Sequence, residues 1–386
     1  MAAKVTIMKR AVTLGTFMLT LLATTLVVHI AAAQAPSLPP PPDPWQPVNA
    51  AIEASQHRFP GGLTVEVMTP AGVVFSGNFG GFSNARRAII ASASKWVTAT
   101  VLLRIVEHGD LSLNTQTKSL LVDRAGRPWS GNMGEIRLRH LLSFTAGTSS
   151  DSEASTDKKI TLEEAVLRIY DDQSPTASPP GSYFYYGGVT HMRIAARMAE
   201  RATGLSWREL YDKHFRLPLG WGEESTYGGA IKPSNPSPAI GLVCTGREYT
   251  RFLMMQLRSG MDGSTRFLDA ASIAAQHADA FGPSTPIAHS AYTFLGKKYH
   301  YGFGNWLETE NGQEPSPDNP ANRWSSTGKF GWAPWIAADG KYAALIMTQQ
   351  ADTPTAFVPS GNLKAKLEPL IRQALESKPN PIRLVP

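Results

Sequence analysis

Behind Lys95 the chain runs through Trp96, Val97, Ala99, Val101, Leu102, Leu103, Ile105 and Val106 before reaching His108-Gly109. A helix this apolar has no face to give to water and is expected in the core. The glycine suits a C-terminal cap. At the first turn of that helix stands Ala91-Ser92-Ala93-Ser94-Lys95. Three residues of separation put the Ser92 hydroxyl and the Lys95 amine on one side of the turn. The positive end of the helix favours an alkoxide at Ser92 and a neutral amine at Lys95, and burial lowers a lysine pKa further. A serine nucleophile with a lysine base has this arrangement. A helix-capping serine beside a solvated lysine has the same spacing.

Ser-x-x-Lys occurs three times, at Ser92, Ser155 and Ser326. Ser155-Thr156-Asp157-Lys158 lies in a polar, acidic run and reads as an exposed loop. Ser326-Thr327-Gly328-Lys329 leads into a strand. Only Ser92 precedes a long apolar helix.

Strand signals gather at the two ends of the chain. Gly62–Met68 and Val73–Phe79 alternate about the turn Thr69-Pro70-Ala71-Gly72, which predicts a β-hairpin. Phe330–Ile336 and Tyr342–Thr348 flank Asp339-Gly340, a second hairpin signal. Between them, residues 110–298 read as helices and loops. Thr161 and Glu164 suggest a capping box ahead of Leu162–Ile169. Further helices are expected from Met192 to Thr203-Gly204, from Ser206, and through Tyr249, Phe252, Leu253 and Leu257. A last amphipathic helix carries Leu363, Leu367, Leu370, Ile371, Ala374 and Leu375.

Residues 1–35 read as a secretory signal peptide. Lys4, Lys9 and Arg10 open it, an apolar stretch follows, and Ala33-Gln34-Ala35 resembles a cleavage site. The expectation is a secreted or periplasmic protein, with an uncleaved N-terminal membrane anchor as the alternative. Residues 36–45 are Pro-rich and read as an extended linker. Removing the three leader charges from the formal +6 leaves 6 − 3, or +3. With no dense Lys/Arg cluster, nucleic-acid binding is not expected. The single cysteine, Cys244, follows Ile240-Gly241-Leu242-Val243 and reads as a core residue, with nothing nearby to activate it.

An acyl-transfer site needs a nucleophile, a base, a proton relay and two oxyanion donors. The Gly- and Tyr-dense run Pro180–Gly188 offers a relay, or is a packed aromatic loop. Ser325–Gly331 offers a backbone donor at a strand edge, or is a plain strand entry. His191 and His300 are candidates for a pocket, and Trp324, Trp332 and Trp335 for an apolar wall or for core. The nine histidines form no metal-binding motif, so neither metal nor cofactor is expected. No G-x-S-x-G elbow, phosphate loop or dinucleotide fingerprint is present.

Taken in order, these pieces resemble the penicillin-recognising serine hydrolase superfamily, in its class C β-lactamase-like, esterase-containing branch. Ala91–Lys95 is similar to the first motif. Glu107–Leu113 resembles the turn after its helix, Arg139–Gly147 its R-H-L-L-S-H-T-S-G stretch, and Pro180–Tyr186 the approach to its tyrosine. Pro218–Trp221 and Gly241–Thr245, with Tyr249 and Phe252, resemble two later segments. The likeness covers about residues 46–375. It implies an α/β (α+β) fold of the β-lactamase/transpeptidase type, an antiparallel sheet flanked by helices with a helical subdomain inserted. The α/β part would be about 46–109 and 299–386, within a domain of 46–386. It further implies acylation at Ser92, acid and base roles for Lys95 and Tyr186, an oxyanion hole from the N–H groups of Ser92 and Lys329, and substrate contacts at Gly188, Ser326, Thr327 and Gly328.

Two positions depart from the family pattern. Gly188 stands where an asparagine is usual, and Ser326 where a lysine or histidine is usual. Losing that cation removes a charge-assisted contact of about 1.5–3 kcal/mol to a substrate carboxylate. The expected function is therefore cleavage of a small-molecule ester or amide, with a non-catalytic binding protein, a D,D-peptidase or a weak β-lactamase as alternatives.

Overall fold

The computed structural model describes residues 43–148, 151–152, 157–281 and 284–377. The expected leader and linker residues 36–42 lie outside them. No helix among the described residues is long and apolar enough to cross a membrane. Trp45, at the end of the expected linker, stacks on Phe75 at 5.2 Å and so belongs to the folded body.

The alternating runs at the two chain ends pair with each other. β1 (Leu63–Thr69) and β2 (Gly72–Phe79) form the first hairpin. β3 (His300–Tyr301), β4 (Trp306–Glu308), β5 (Arg323–Ser325), β6 (Ala333–Ala337) and β7 (Ala343–Met347) come from the far end. They make one antiparallel sheet in the order β2-β1-β7-β6-β5-β4-β3, closed across the chain by Val65 opposite Ile346. The second hairpin turns at Gly340, whose φ of 70° an L side chain rarely adopts.

The pleat divides side chains between two cores. Ala344 and Ile346 face Val65, Val67 and Trp335 beneath α1 (Gln46–Ser55) and α6 (Val358–Glu376), whose Val48, Ile52, Leu363, Leu367 and Ile371 complete that layer. Ala343, Leu345 and Met347 face the opposite core. That core holds α2 (Ser94–Glu107), with eleven of its fourteen residues buried, as its apolar run requires. α3 (Leu162–Gln173), α4 (Thr190–Thr203) and α5 (Gly246–Leu257) belong to the helical region. Thr161 accepts from the Glu164 N–H at 3.1 Å, one half of the expected capping box, while the Glu164 carboxylate meets Arg124 and Arg168 instead; α4 ends at Gly204, as expected.

A buried ion cluster ties the sheet to α6. Glu308 on β4 accepts from Lys364 Nζ at 2.7 and 2.6 Å and from Arg323 Nε at 2.9 Å. Burial by itself raises the Glu308 pKa, but the charges of Lys364 and Arg323 outweigh it and hold it at about 2. The stabilisation is complete above the ordinary glutamate pKa and is lost as pH falls towards 2. Glu308→Ala leaves two buried cations facing each other, and urea unfolding at pH 7 is expected to show a loss of about 3–5 kcal/mol. A loss below about 1 kcal/mol would mean that water or Glu368 takes over the neutralisation.

Candidate active site

Ser92 sits just ahead of α2 on a 3-10 turn, Ala91–Ala93. The strand Arg87–Ile89 delivers the chain to that turn by pairing with Val243–Thr245, and Ile90 N–H donates to the Leu242 carbonyl at 3.0 Å. The Ser94 hydroxyl donates to the Ala91 carbonyl at 2.6 Å and accepts from Leu242 N–H at 3.1 Å. These bonds hold Ala91 at φ 45°, a strained value for alanine. The segment around Cys244 thus fastens the Ser92 turn. Cys244 itself is buried, and burial pushes its thiol well up, so it stays protonated.

Lys95 Nζ lies 3.0 Å from Ser92 Oγ and donates to the Ala239 carbonyl at 3.3 Å. The amine also lies 4.9 Å from the Tyr186 ring centre. Its burial lowers the pKa to about 7, against the opposing pull of Asp151.

Tyr186 is placed by its backbone. The Phe184–Tyr185 strand runs parallel to Ile287–His289, Tyr186 N–H donates to His289 O at 3.0 Å, and Tyr185 N–H donates to Phe144 O at 2.9 Å. Its ring is packed on Phe144 at 5.1 Å and Trp306 at 4.8 Å. Burial pushes the phenol pKa well up, although a hydrogen bond with Ser92 opposes the shift. The phenol is therefore neutral at ordinary pH. His191, on the first turn of α4, meets Thr148 Oγ1 at 3.2 Å. Burial and the nearby Lys95 pull its pKa to about 3, so it too is neutral.

The Ser326–Lys329 segment lies directly against the Ser92 turn. A Cβ on Gly328 would come within 2.1 Å of the Ile90 carbonyl oxygen, so only glycine fits. The buried Ser326 hydroxyl donates to Ser92 O at 3.1 Å and to Gly304 O at 3.3 Å. It positions backbone and does not face outward for a ligand. Thr327 hydrogen-bonds with Tyr292. The Lys329 side chain pairs with Asp352, and its backbone N–H has no partner among the described residues, nor does that of Ser92. The third Ser-x-x-Lys match is therefore not a second nucleophile and base. Ser155 lies outside the described residues.

Gly188 precedes α4 with φ 33°. A Cβ there would meet Asp151 Oδ2 at 2.3 Å. The acidic side chain of another segment lies where the family's asparagine would project.

Of the remaining candidates, His300 bonds Asp279 at 2.6 Å and not the Ser92 group. Trp332 and Trp335 are fully buried core, while Trp324 stacks on His277 at 4.3 Å. The tryptophan against Tyr186 is Trp306, which carried no distinguishing signal in the sequence. Gly304 was also missed, although a Cβ there would lie 2.4 Å from the Lys95 carbonyl oxygen. Asp151 was likewise unmarked.

A serine, a lysine of lowered pKa 3.0 Å from its hydroxyl and a buried tyrosine meet on this sheet-and-helix frame. The beta-lactamase family profile matches residues 48–365, and the chain belongs to that family of serine hydrolases and acyltransferases. A candidate beta-lactamase of Bacteroides dorei DSM 17855 shares the fold at TM-score 0.70 and 26% identity, over 85% of this chain and 99% of that one. Monacolin J acid methylbutanoyltransferase of Aspergillus terreus is 26% identical over 155 residues, 34% of this chain and 36% of that protein. Penicillin-binding protein 4 of Amycolatopsis lactamdurans is 25% identical over 212 residues, 47% of this chain and 54% of that protein. The chain thus matches about a third to a half of the length of these curated relatives.

Proposed function

We propose that this chain cleaves a small-molecule ester or amide through an acyl-enzyme at Ser92, in a compartment reached through the leader at residues 1–35. The observation that carries the reading is the 3.0 Å approach of Lys95 Nζ to Ser92 Oγ, with the lysine pKa brought to about 7. Near neutral pH a large share of Lys95 is the free amine. It takes the Ser92 proton as Oγ attacks the carbonyl carbon. The developing oxyanion is received by the N–H groups of Ser92 and Lys329. Tyr186, held as a neutral phenol, passes a proton to the leaving alkoxide or amine as the carbonyl–leaving-group bond breaks, and regains one from the lysine ammonium. Water then adds to the ester carbonyl and releases the acid. An alcohol acceptor in the place of water gives acyl transfer, the outcome named for the methylbutanoyltransferase relative.

A carboxylate-bearing β-lactam or peptide suits the site less well, because the Ser326 hydroxyl is spent on two carbonyl groups and no cation stands there. The test is a fluorophosphonate probe followed by intact-mass measurement and peptide mapping. One adduct per chain, on the peptide carrying Ser92, is expected. A protein that stays unlabelled while folded would be a binding protein on the hydrolase frame.

A further inference from the structure

The Ser326 hydroxyl is buried and shares its single proton between two carbonyl oxygens, Ser92 O at 3.1 Å and Gly304 O at 3.3 Å. The two acceptors differ in kind. Gly304 is anchored on its own account. Its N–H donates to Leu142 O at 3.2 Å, and the adjoining Asn305 Nδ2 donates to Gln276 O at 2.8 Å. A Cβ on Gly304 would lie 2.4 Å from the Lys95 carbonyl oxygen, so this loop is pressed onto the first turn of α2. Ser92 O belongs to the nucleophile's own residue. It also accepts from Ser94 N–H within its turn, and the Ser326 bond adds a tie from a distant segment. The same short segment carries Lys329. A Cβ on Gly328 would meet Ile90 O at 2.1 Å and Ala91 Cβ at 3.5 Å, and Gly328 N–H donates to Trp332 O at 2.7 Å, closing the turn that contains Lys329.

We infer that Ser326 is a positioning residue of the Ser92 reaction: its hydroxyl clamps the nucleophile's peptide to the Lys329 segment and to the Gly304 loop, and so sets the spacing of the two N–H groups that receive the oxyanion. The inference rests on the Ser92 reading. Hydrogen bonds to an oxyanion are short and charge-assisted, so a small widening of that spacing weakens them in the transition state more than it weakens contacts to a neutral ester. Ser326 acts through Ser92 and Lys329, since its hydroxyl faces the two carbonyl groups and not the substrate.

Ser326→Ala removes the donor and keeps the backbone. With p-nitrophenyl butyrate, kcat is expected to fall roughly ten- to hundredfold while KM changes less than about threefold. Affinity for a trifluoromethyl ketone, whose hemiketal oxyanion occupies the same two donors, should fall by a similar factor. The acid midpoint of kcat/KM should stay at about 7, because the Lys95 amine keeps its surroundings. The single fluorophosphonate adduct is retained. Ser326→Thr, which keeps the hydroxyl, should hold kcat within about fivefold of wild type. Ser326→Cys offers only a weak donor at similar volume and carries the test if the alanine variant does not fold. A folded alanine or cysteine variant with kcat within about threefold of wild type overturns the clamp, as does a loss confined to KM. A threonine variant as slow as the alanine one, or an acid midpoint moved by about a unit or more, overturns it too, the latter by putting the effect on Lys95. Each of these outcomes leaves the Ser92 reading standing. Wild-type protein that neither turns over the ester nor takes the probe overturns both.

Discussion

Ser92→Ala should lower kcat/KM for p-nitrophenyl butyrate by roughly ten-thousandfold or more and abolish the fluorophosphonate adduct. The variant loses the atom that forms the acyl bond, and no neighbour replaces it. Ser94 is tied to Ala91 and Leu242, Ser326 to Ser92 and Gly304, and the Cys244 thiol is buried and protonated. The fold should survive, because the Ser92 hydroxyl is bonded to Lys95 and Tyr186 while the turn is held by backbone and by Ser94. Stability is expected within about 1 kcal/mol of wild type. Wild-type turnover by a folded Ser92→Ala protein would remove this serine from the chemistry.

Lys95→Met should cost about a thousandfold or more in kcat/KM and at the same time stabilise the protein at low pH. The amine is buried, with Ser92 and Ala239 as its polar partners, so burial penalises the ammonium and lowers the pKa from 10.5 to about 7. Between these two values the unfolded chain binds the proton that the folded chain has released. Wild-type stability therefore rises with pH across that window, and the full cost of the buried ammonium is felt below about 7. Methionine carries no such cost. Urea unfolding should find Lys95→Met more stable than wild type at pH 6, on the order of a few kcal/mol, with the difference shrinking as pH rises towards 10. The same lowered pKa predicts a wild-type kcat/KM that falls as pH drops through about 7. A variant that is less stable than wild type at pH 6 would mean that Lys95 is a structural cation. The pairing of lost activity with gained stability is what a strained catalytic base entails.

The regular elements were legible because their causes are local. The apolar run after Lys95 has one outcome, a buried helix. Asp339-Gly340 and Thr69–Gly72 carry turn chemistry that permits few conformations, and both hairpins formed. Thr161 with Glu164 and Gly204 likewise settled helix ends within a few residues. Ser92 and Lys95 could be paired from the sequence for the same reason, since three residues of helical turn bring them together. One local detail differed. α2 begins at Ser94, and Ser92 stands on the tighter turn before it, because the Leu242 contacts hold Ile90 and Ser94 to the neighbouring strand.

The amino-acid sequence by itself determined the elements, the buried helix and the closeness of Ser92 and Lys95 at its head. Only the tertiary structure decided what surrounds that pair. Hydropathy does not distinguish Trp306 beside Tyr186 from Trp332 and Trp335 in the core, since each depends on which strand face the sheet order turns inward. Nothing near Ser326 in the chain shows that its hydroxyl is spent on the carbonyls of Ser92 and Gly304. Nothing near Gly188 announces that its missing side chain leaves room for Asp151. Those contacts join segments far apart in the chain, and they exist only once the strands from both ends have closed into one sheet around α2.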